Sequence, residues 1–484
     1  VNKLSDSGTT RTRALGGFLC FILLCGHASL WSGGCAGGGS GSPGGNTGGV
    51  VDPKDAILET NPADDAADIS TDEDITITFT AAVDPNSLDV WLEPDVAFNR
   101  SWFAGNTVLK VTPTDPLEAN IEYTVFIGDL RFEDGSELDE EFSFRFSTGE
   151  QAGNGDELTA LSLAEIRFWG YQIQGVDAEG AIESLADSHY DMLVLEPTRT
   201  DAELLDFDTR GMVERLKATM ASDGVHRKLI IAYVDIGEAE DWRWYWTWSK
   251  ESEEAQIPEE TDLADDWPDY IIARDPDGWV GNYPVAYWEP EWKDIIIYGE
   301  NRVPAGARDY TSAIDELILD GFDGIYLDWV EGFENVHVIA AAQAGGLDPA
   351  QEMIDFIEEM RDYARQRDAD FLIIQQNAAA LIDGHPDLLN HLDAIAQEGV
   401  WYDGIAGDDW NDVAGYFFNG PNLTAEYIGF LGQYLAADVP VFNCEYALQG
   451  NATDAYERSY AEGYVPYVTR RSLGQLTDTP PPAY

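Results

Sequence analysis

Gly321-Phe-Asp-Gly-Ile-Tyr-Leu-Asp-Trp-Val-Glu331 is the stretch on which the fold turns. The apolar run Ile325 to Leu327 follows an Asp-Gly turn and stops at Asp328, with Glu331 three residues on. A buried parallel strand delivers an acid to an active-site rim in this way. The plain alternative is an ordinary strand whose acids cap the next helix, and only the rest of the chain separates the two.

On either side of this stretch, strand-like runs alternate with helical patterns. The strand candidates are 167–173, 192–195, 229–234, 324–327, 371–375, 394–396, 441–444 and 465–468, with a further short one at 286–288. Helical patterns fall at 179–188, 208–222, 311–319, 349–367 and 423–436. Parallel strands with crossover helices predict an α/β fold, a (β/α)8 TIM barrel over 161–475. That is one strand candidate too many, and the last is expected to lie outside the closed barrel. No Gly-x-Gly-x-x-Gly follows a strand, which leaves a dinucleotide fold without its fingerprint.

Chemistry in a barrel gathers at the carboxyl ends of the strands. There the sequence places Trp169, Tyr171 and Gln172, then Glu196, then Asp235-Ile-Gly-Glu238 running on through Arg243 to Trp246. Tyr287-Trp288-Glu289 follows, then Asp328 with Glu331, Gln375-Gln376-Asn377, Glu398, and Glu445 with Tyr446. No strand end supplies a nucleophilic Ser or Cys with a His partner. Carboxylates and aromatics suit a sugar site: one carboxyl protonates the leaving oxygen, another attacks or activates water, and ring faces stack on sugars. Any one of these acids alone could be a cap or an Arg partner, and any one Trp could fill a gap behind the barrel; the case is collective.

Composition narrows the partners. The 484 residues carry a formal net charge of −63, and only seven of the 27 basic residues are lysine. General affinity for nucleic acid is excluded, because phosphate binding needs clustered Lys and Arg, whereas cationic ligands fit. The six scattered histidines, at 27, 189, 226, 337, 385 and 391, form no metal-ligand spacing; no metal and no cofactor are expected. Basic residues and an apolar segment open the chain as an export signal over 1–35. Ser32-Gly-Gly-Cys35 resembles a bacterial lipoprotein box, with Ser32 where an aliphatic residue is usual. It predicts lipidation of Cys35 and a cell-surface or outer-membrane location, with simple signal cleavage and secretion as the alternative. Membrane contact would run only through that anchor. With Cys20 and Cys25 in the signal, Cys35 and Cys444 remain, so no disulfide framework is expected.

A Gly/Ser-rich tether, 36–54, leads to short alternating runs such as Ile75-Thr-Ile-Thr-Phe79 and Phe142-Ser-Phe-Arg-Phe146, the pattern of a small antiparallel sandwich. Glu59-Thr-Asn-Pro-Ala-Asp64, Ile75 to Thr80 with Val83-Asp-Pro85, and Phe144-Arg-Phe-Ser-Thr148 make 55–149 resemble the bacterial Ig-like domains of the S-layer protein type. A polar linker, 150–160, precedes the barrel, and 476–484 is expected to be an unstructured tail.

The barrel region carries a second resemblance, through Trp169-Gly-Tyr-Gln172, Ile231-Ala-Tyr-Val-Asp235 continuing to Trp246, Asn282-Tyr-Pro-Val-Ala-Tyr-Trp288 and Gly321 to Asp328. From Phe168 to about Leu473 the chain resembles glycoside hydrolase family 114, the endo-α-1,4-polygalactosaminidase family, in its bacterial and archaeal branch. The resemblance implies retaining hydrolysis of α-1,4-linked galactosamine polymers, with Asp328 as nucleophile and Glu398 as general acid/base. It also implies that Glu238, Arg243, Trp288, Asn377 and Glu445 line the sugar site, with Glu331 as the rival for the acid role. The acid partner is expected to be the less solvated carboxyl, with a raised pKa. The competing possibilities are a non-catalytic polysaccharide-binding protein on a degenerate barrel, and an adhesion protein built on the Ig-like module.

Overall fold

The computed structural model describes residues 50–149, 158–299, 303–305, 308–404, 414–416, 421–447 and 451–477, apart from 72–73, 104, 115–116 and 139. The export signal, Cys35 and most of the tether lie outside the described residues.

Two four-stranded sheets make the N-terminal domain: 57–61, 75–79, 108–113 and 98–103 in one, and 66–69, 142–148, 122–128 and 89–93 in the other. Alternate residues such as Ile75, Ile77, Val125, Ile127, Phe144 and Phe146 turn inward and form its core.

The second domain is an eight-stranded parallel sheet whose strands follow one another in chain order. They are β1 (Trp169–Gln172), β2 (Met192–Leu195), β3 (Leu229–Asp235), β4 (Gly324–Asp328), β5 (Leu372–Gln376), β6 (Ala394–Glu398), β7 (Val441–Glu445) and β8 (Val465–Val468). The Trp169 indole N–H donates to the Val465 carbonyl, 2.9 Å, and ties the first strand to the last. β8 is therefore a barrel strand. The surplus candidate is 286–288: the chain pairs in this region at Asn282–Pro284, antiparallel to Glu238–Glu240, outside the barrel. Leu476 and Thr477, assigned to the tail, also pack: the Tyr190 hydroxyl donates to the Thr477 carbonyl, 2.6 Å, and Leu476 sits against Gly170.

Each strand is apolar on both faces because one face fills the barrel and the other meets helices. Inside, Trp169, Tyr171, Tyr233, Tyr326, Phe442 and Tyr467 replace the usual branched aliphatics, with Tyr171 and Tyr326 ring centres 5.2 Å apart. Three aspartates brace the floor. Asp191, Asp323 and Asp393 each precede an even-numbered strand and accept the backbone N–H of Phe168, Ile230 and Ile373 respectively, at 2.8–3.0 Å. Asp323 also takes a two-pronged ion pair from Arg227, and Asp393 one from Arg365. The stretch Gly321–Glu331 thus carries one acid that bolts the floor and others that face the opposite end.

Candidate active site

The two-residue period of a strand sets which side chains meet above the aromatic core. Tyr171, Tyr233 and Tyr326 point into the barrel, so Asp235 and Asp328, two residues further along β3 and β4, point inward at its mouth. They lie side by side, since Asp235 and Asp328 are register partners. Glu398, two residues beyond the inward Ala396 of β6, arrives from the far side of β5, with roughly 10 Å between the two backbones.

Asp328 is half-buried. It accepts the Tyr233 hydroxyl and the Trp329 N–H. Burial pushes its pKa up to about 7, with the charge of Glu398 adding to the rise against the Tyr233 hydrogen bond. Glu398, also half-buried, accepts the Tyr446 hydroxyl at 2.6 Å and the Asn377 amide at 3.1 Å. Asn377 in turn accepts the Glu398 N–H, 2.9 Å, so its side chain is committed to holding Glu398 in place. Glu331 has an oxygen with no partner, and burial, then the charge of Asp328, raises it to about 8. Upward shifts fall at Asp328 and Glu331, because burial disfavours their charged forms and neighbouring carboxylates add to that.

Beside them lies a second acidic group. Asp235 accepts the N–H groups of Gly237 and Glu238, and Asn282 reaches Glu238 at 3.1 Å. Glu238 is 1% exposed and faces the charges of Asp235 and Asp275. Burial raises Asp275 to about 6 and Glu238 and Asp235 well above the usual range.

Several expected sugar contacts sit elsewhere. Trp169 and Tyr171 are sealed in the barrel core, 0% and 1% exposed. Arg243 is buried and spent on Glu196, Glu240 and Thr200. Trp246 packs among Trp248, Trp267 and Tyr283; the tryptophan-rich run largely builds a wall. Glu445 faces away from the barrel interior and accepts the N–H groups of Val400, Trp401 and Tyr402, so it shapes the turn that follows Glu398. Trp288 is half-buried against Tyr287. Tyr446 was placed at the rim without a role, and Tyr233, Asp275 and Asn282 were not singled out as site residues. Tyr233 was within reach by strand alternation, from Asp235 back to Tyr233. Asp275 and Asn282 sit in an irregular excursion that carries no periodic signal.

The turn after Asp328 is strained and tightly packed. Trp329 holds φ 56°, a left-handed conformation unusual for a bulky residue. A Cβ on Gly237 would come within 2.3 Å of the Trp329 carbonyl oxygen and 2.6 Å of its ring. Gly237→Ala is expected to lower Tm by about 2–6 °C and to cost at least tenfold in turnover, by displacing the residue bonded to Asp328. Thermal denaturation alongside a reducing-end assay checks both; an unchanged Tm would show that Trp329 yields freely.

Among the described residues no group of His, Cys, Asp and Glu is arranged to hold a metal ion, and no helix is long and apolar enough to cross a membrane.

Both parts of the chain resemble known proteins. Residues 190–481 match the model of glycoside-hydrolase family GH114, and 52–148 match a bacterial Ig-like domain. An uncharacterized protein of Methanocaldococcus jannaschii is 31% identical over 342 residues, covering 67% of this chain and 82% of that protein. Among solved structures, the glycoside hydrolase domain of PelA from Pseudomonas aeruginosa aligns with TM-score 0.41 and 14% identity, over 64% of this chain and 97% of that one. Ega3 of Aspergillus fumigatus, solved in complex with galactosamine, aligns with TM-score 0.37 and 15% identity, over 66% and 98%.

Proposed function

The chain belongs to glycoside-hydrolase family GH114, and on that premise we propose that this glycoside hydrolase cleaves a polymer of α-1,4-linked galactosamine with retention of configuration. Asp328 attacks the anomeric carbon while Glu398 gives its proton to the departing oxygen. Glu398 then takes a proton from water, and that water releases the sugar from Asp328. Asn377 and Tyr446 keep Glu398 on the leaving-group side; Tyr233 orients Asp328. The enzyme acts outside the cell, carried there by its N-terminal signal and tethered through Cys35.

One observation carries the choice of an amino sugar. The mouth holds mutually repelling acids: Asp235 feels Asp328, Glu331 feels Asp328 and Glu398, and Glu238 feels Asp235 and Asp275. The buried guanidinium of Arg243 is already taken by Glu196 and Glu240. An ammonium group on the substrate supplies the missing positive charge and draws Asp328 into its ionised, nucleophilic form.

The test is reducing-end release from a partly deacetylated galactosamine polymer, its fully N-acetylated counterpart and neutral glycans. The deacetylated polymer is expected to be cut at least tenfold faster, and equal rates on the neutral polymers would refute the charge argument. The pH profile follows from the same site. Asp328 must be ionised to attack, so kcat/KM should climb about tenfold per pH unit toward about 7, while the need for a protonated donor bends the profile down on the alkaline side. A rise with its midpoint below pH 5 would contradict the assignment.

A further inference from the structure

Trp279 stands 54% exposed on the excursion between β3 and β4, next to exposed Val280, and Ile257 is exposed nearby in the same excursion. Large apolar side chains gathered at a surface mark a place of binding. The loop that carries the indole is held firmly: Asp275 accepts the Trp279 N–H at 2.7 Å, Gln256 accepts that of Gly281 at 2.7 Å, and the Trp279 carbonyl accepts from Asn282 at 3.2 Å. Gly281, at φ 95°, lets the backbone close onto the Trp242 ring, 2.7 Å from where a Cβ would sit.

The same loop is rooted in the catalytic mouth. Asp275, which holds Trp279, donates its own backbone N–H to the Asn282 carbonyl at 3.1 Å. Asn282 reaches Glu238 and, at 3.5 Å, Asp235, the register neighbour of Asp328. Asp277, two residues from Trp279, is exposed, and its charge acts on Glu331. Three residue steps lead from Trp279 to Asn282, a span of at most about 11 Å. The indole therefore lies on the rim, continuous with the cleft and outside it.

We propose that Trp279 is an outer sugar-binding platform, on which the polysaccharide chain rests several units away from the bond being cut. The proposal rests on the hydrolase function above and adds a second binding place to it. An exposed indole matches the apolar face of a sugar ring, and Asp277 beside it suits a cationic unit. A protein partner would need about 1,000 Å² of complementary surface, far more than these few side chains offer. A linear chain needs only one ring face at each point of contact. Such a platform favours cutting within long chains, because only these span rim and mouth together.

Wild type, Trp279→Ala and Trp279→Phe are compared on the partly deacetylated polymer and on a short oligomer of the same sugar. Trp279→Ala is expected to lower the ratio of polymer to oligomer kcat/KM about tenfold, mostly through KM, and Trp279→Phe to restore most of it. An unchanged ratio in Trp279→Ala overturns the proposal. Should wild type cut neither substrate, the hydrolase function has failed, and retardation in a native gel cast with the polymer decides the platform separately. Slowing of wild type with free passage of Trp279→Ala supports it; equal mobility overturns it.

Discussion

Asp328→Asn will reduce reducing-end release by roughly a thousandfold or more and, at pH 8, will melt higher than wild type. The two effects share a cause. Asp328 must be charged to attack, yet the fold disfavours the charge, since burial and neighbouring acids raise its pKa from 3.8 to about 7. The stability it contributes is fully present below about pH 4 and is lost as the pH rises through 7. Asn keeps an acceptor for Tyr233 and cannot ionise, so the variant escapes that loss. A gain of about 2–6 °C in Tm is expected at pH 8, closing toward pH 4. Activity within tenfold of wild type would remove Asp328 from the chemistry; a Tm below wild type at pH 8 would show that its charge is welcome in the fold.

The second large effect separates Glu398 from Glu331. Glu398 receives hydrogen bonds from Tyr446 and Asn377, which fix its orientation across the mouth from Asp328. Glu331 follows Asp328 by one turn, on the same wall, with one oxygen unpartnered. A proton donor must stand across the sugar from the nucleophile's wall, and of the two candidates it is Glu398, on β6, that does so. Glu398→Ala is expected to lower kcat on the polymer by about 10²–10⁴, and on an oligomer whose leaving group needs no protonation added azide should restore turnover by attacking the glycosyl-enzyme, with a product of retained configuration. Glu331→Gln should cost less than tenfold. The reverse order of losses, with azide rescue in the Glu331 variant, would give the acid role to Glu331.

The barrel was legible because its strands are apolar on both faces and four of the eight end in an acid. Asp323 and Asp328 show what alternation cannot do alone. Both are acids flanking one apolar run, and only the direction of the strand separates a bolt on Arg227 from a nucleophile under Tyr233. The strand count failed at 286–288, where an aromatic β-like pattern serves packing in an excursion and not sheet pairing. Glu445 and Arg243 were misplaced for a related reason: a charged residue at a strand end looks the same whether it meets substrate or backbone amides. Asn377 likewise reads as a sugar ligand until its hydrogen bonds show it holding Glu398. The site's second acidic group depends on Asp275 and Asn282, brought to Glu238 by a hairpin that no local pattern announces.

The most direct test is mass spectrometry of Glu398→Ala quenched in acid during turnover of a galactosamine oligomer whose leaving group needs no protonation, such as fluoride, and then digested. A covalent intermediate should accumulate, and the peptide bearing Asp328 should carry the added mass of a glycosyl segment, removed when azide is present before quenching. An Asp328 peptide that stays unmodified throughout steady turnover, or an adduct on another residue, would contradict the assignment of Asp328 as the nucleophile.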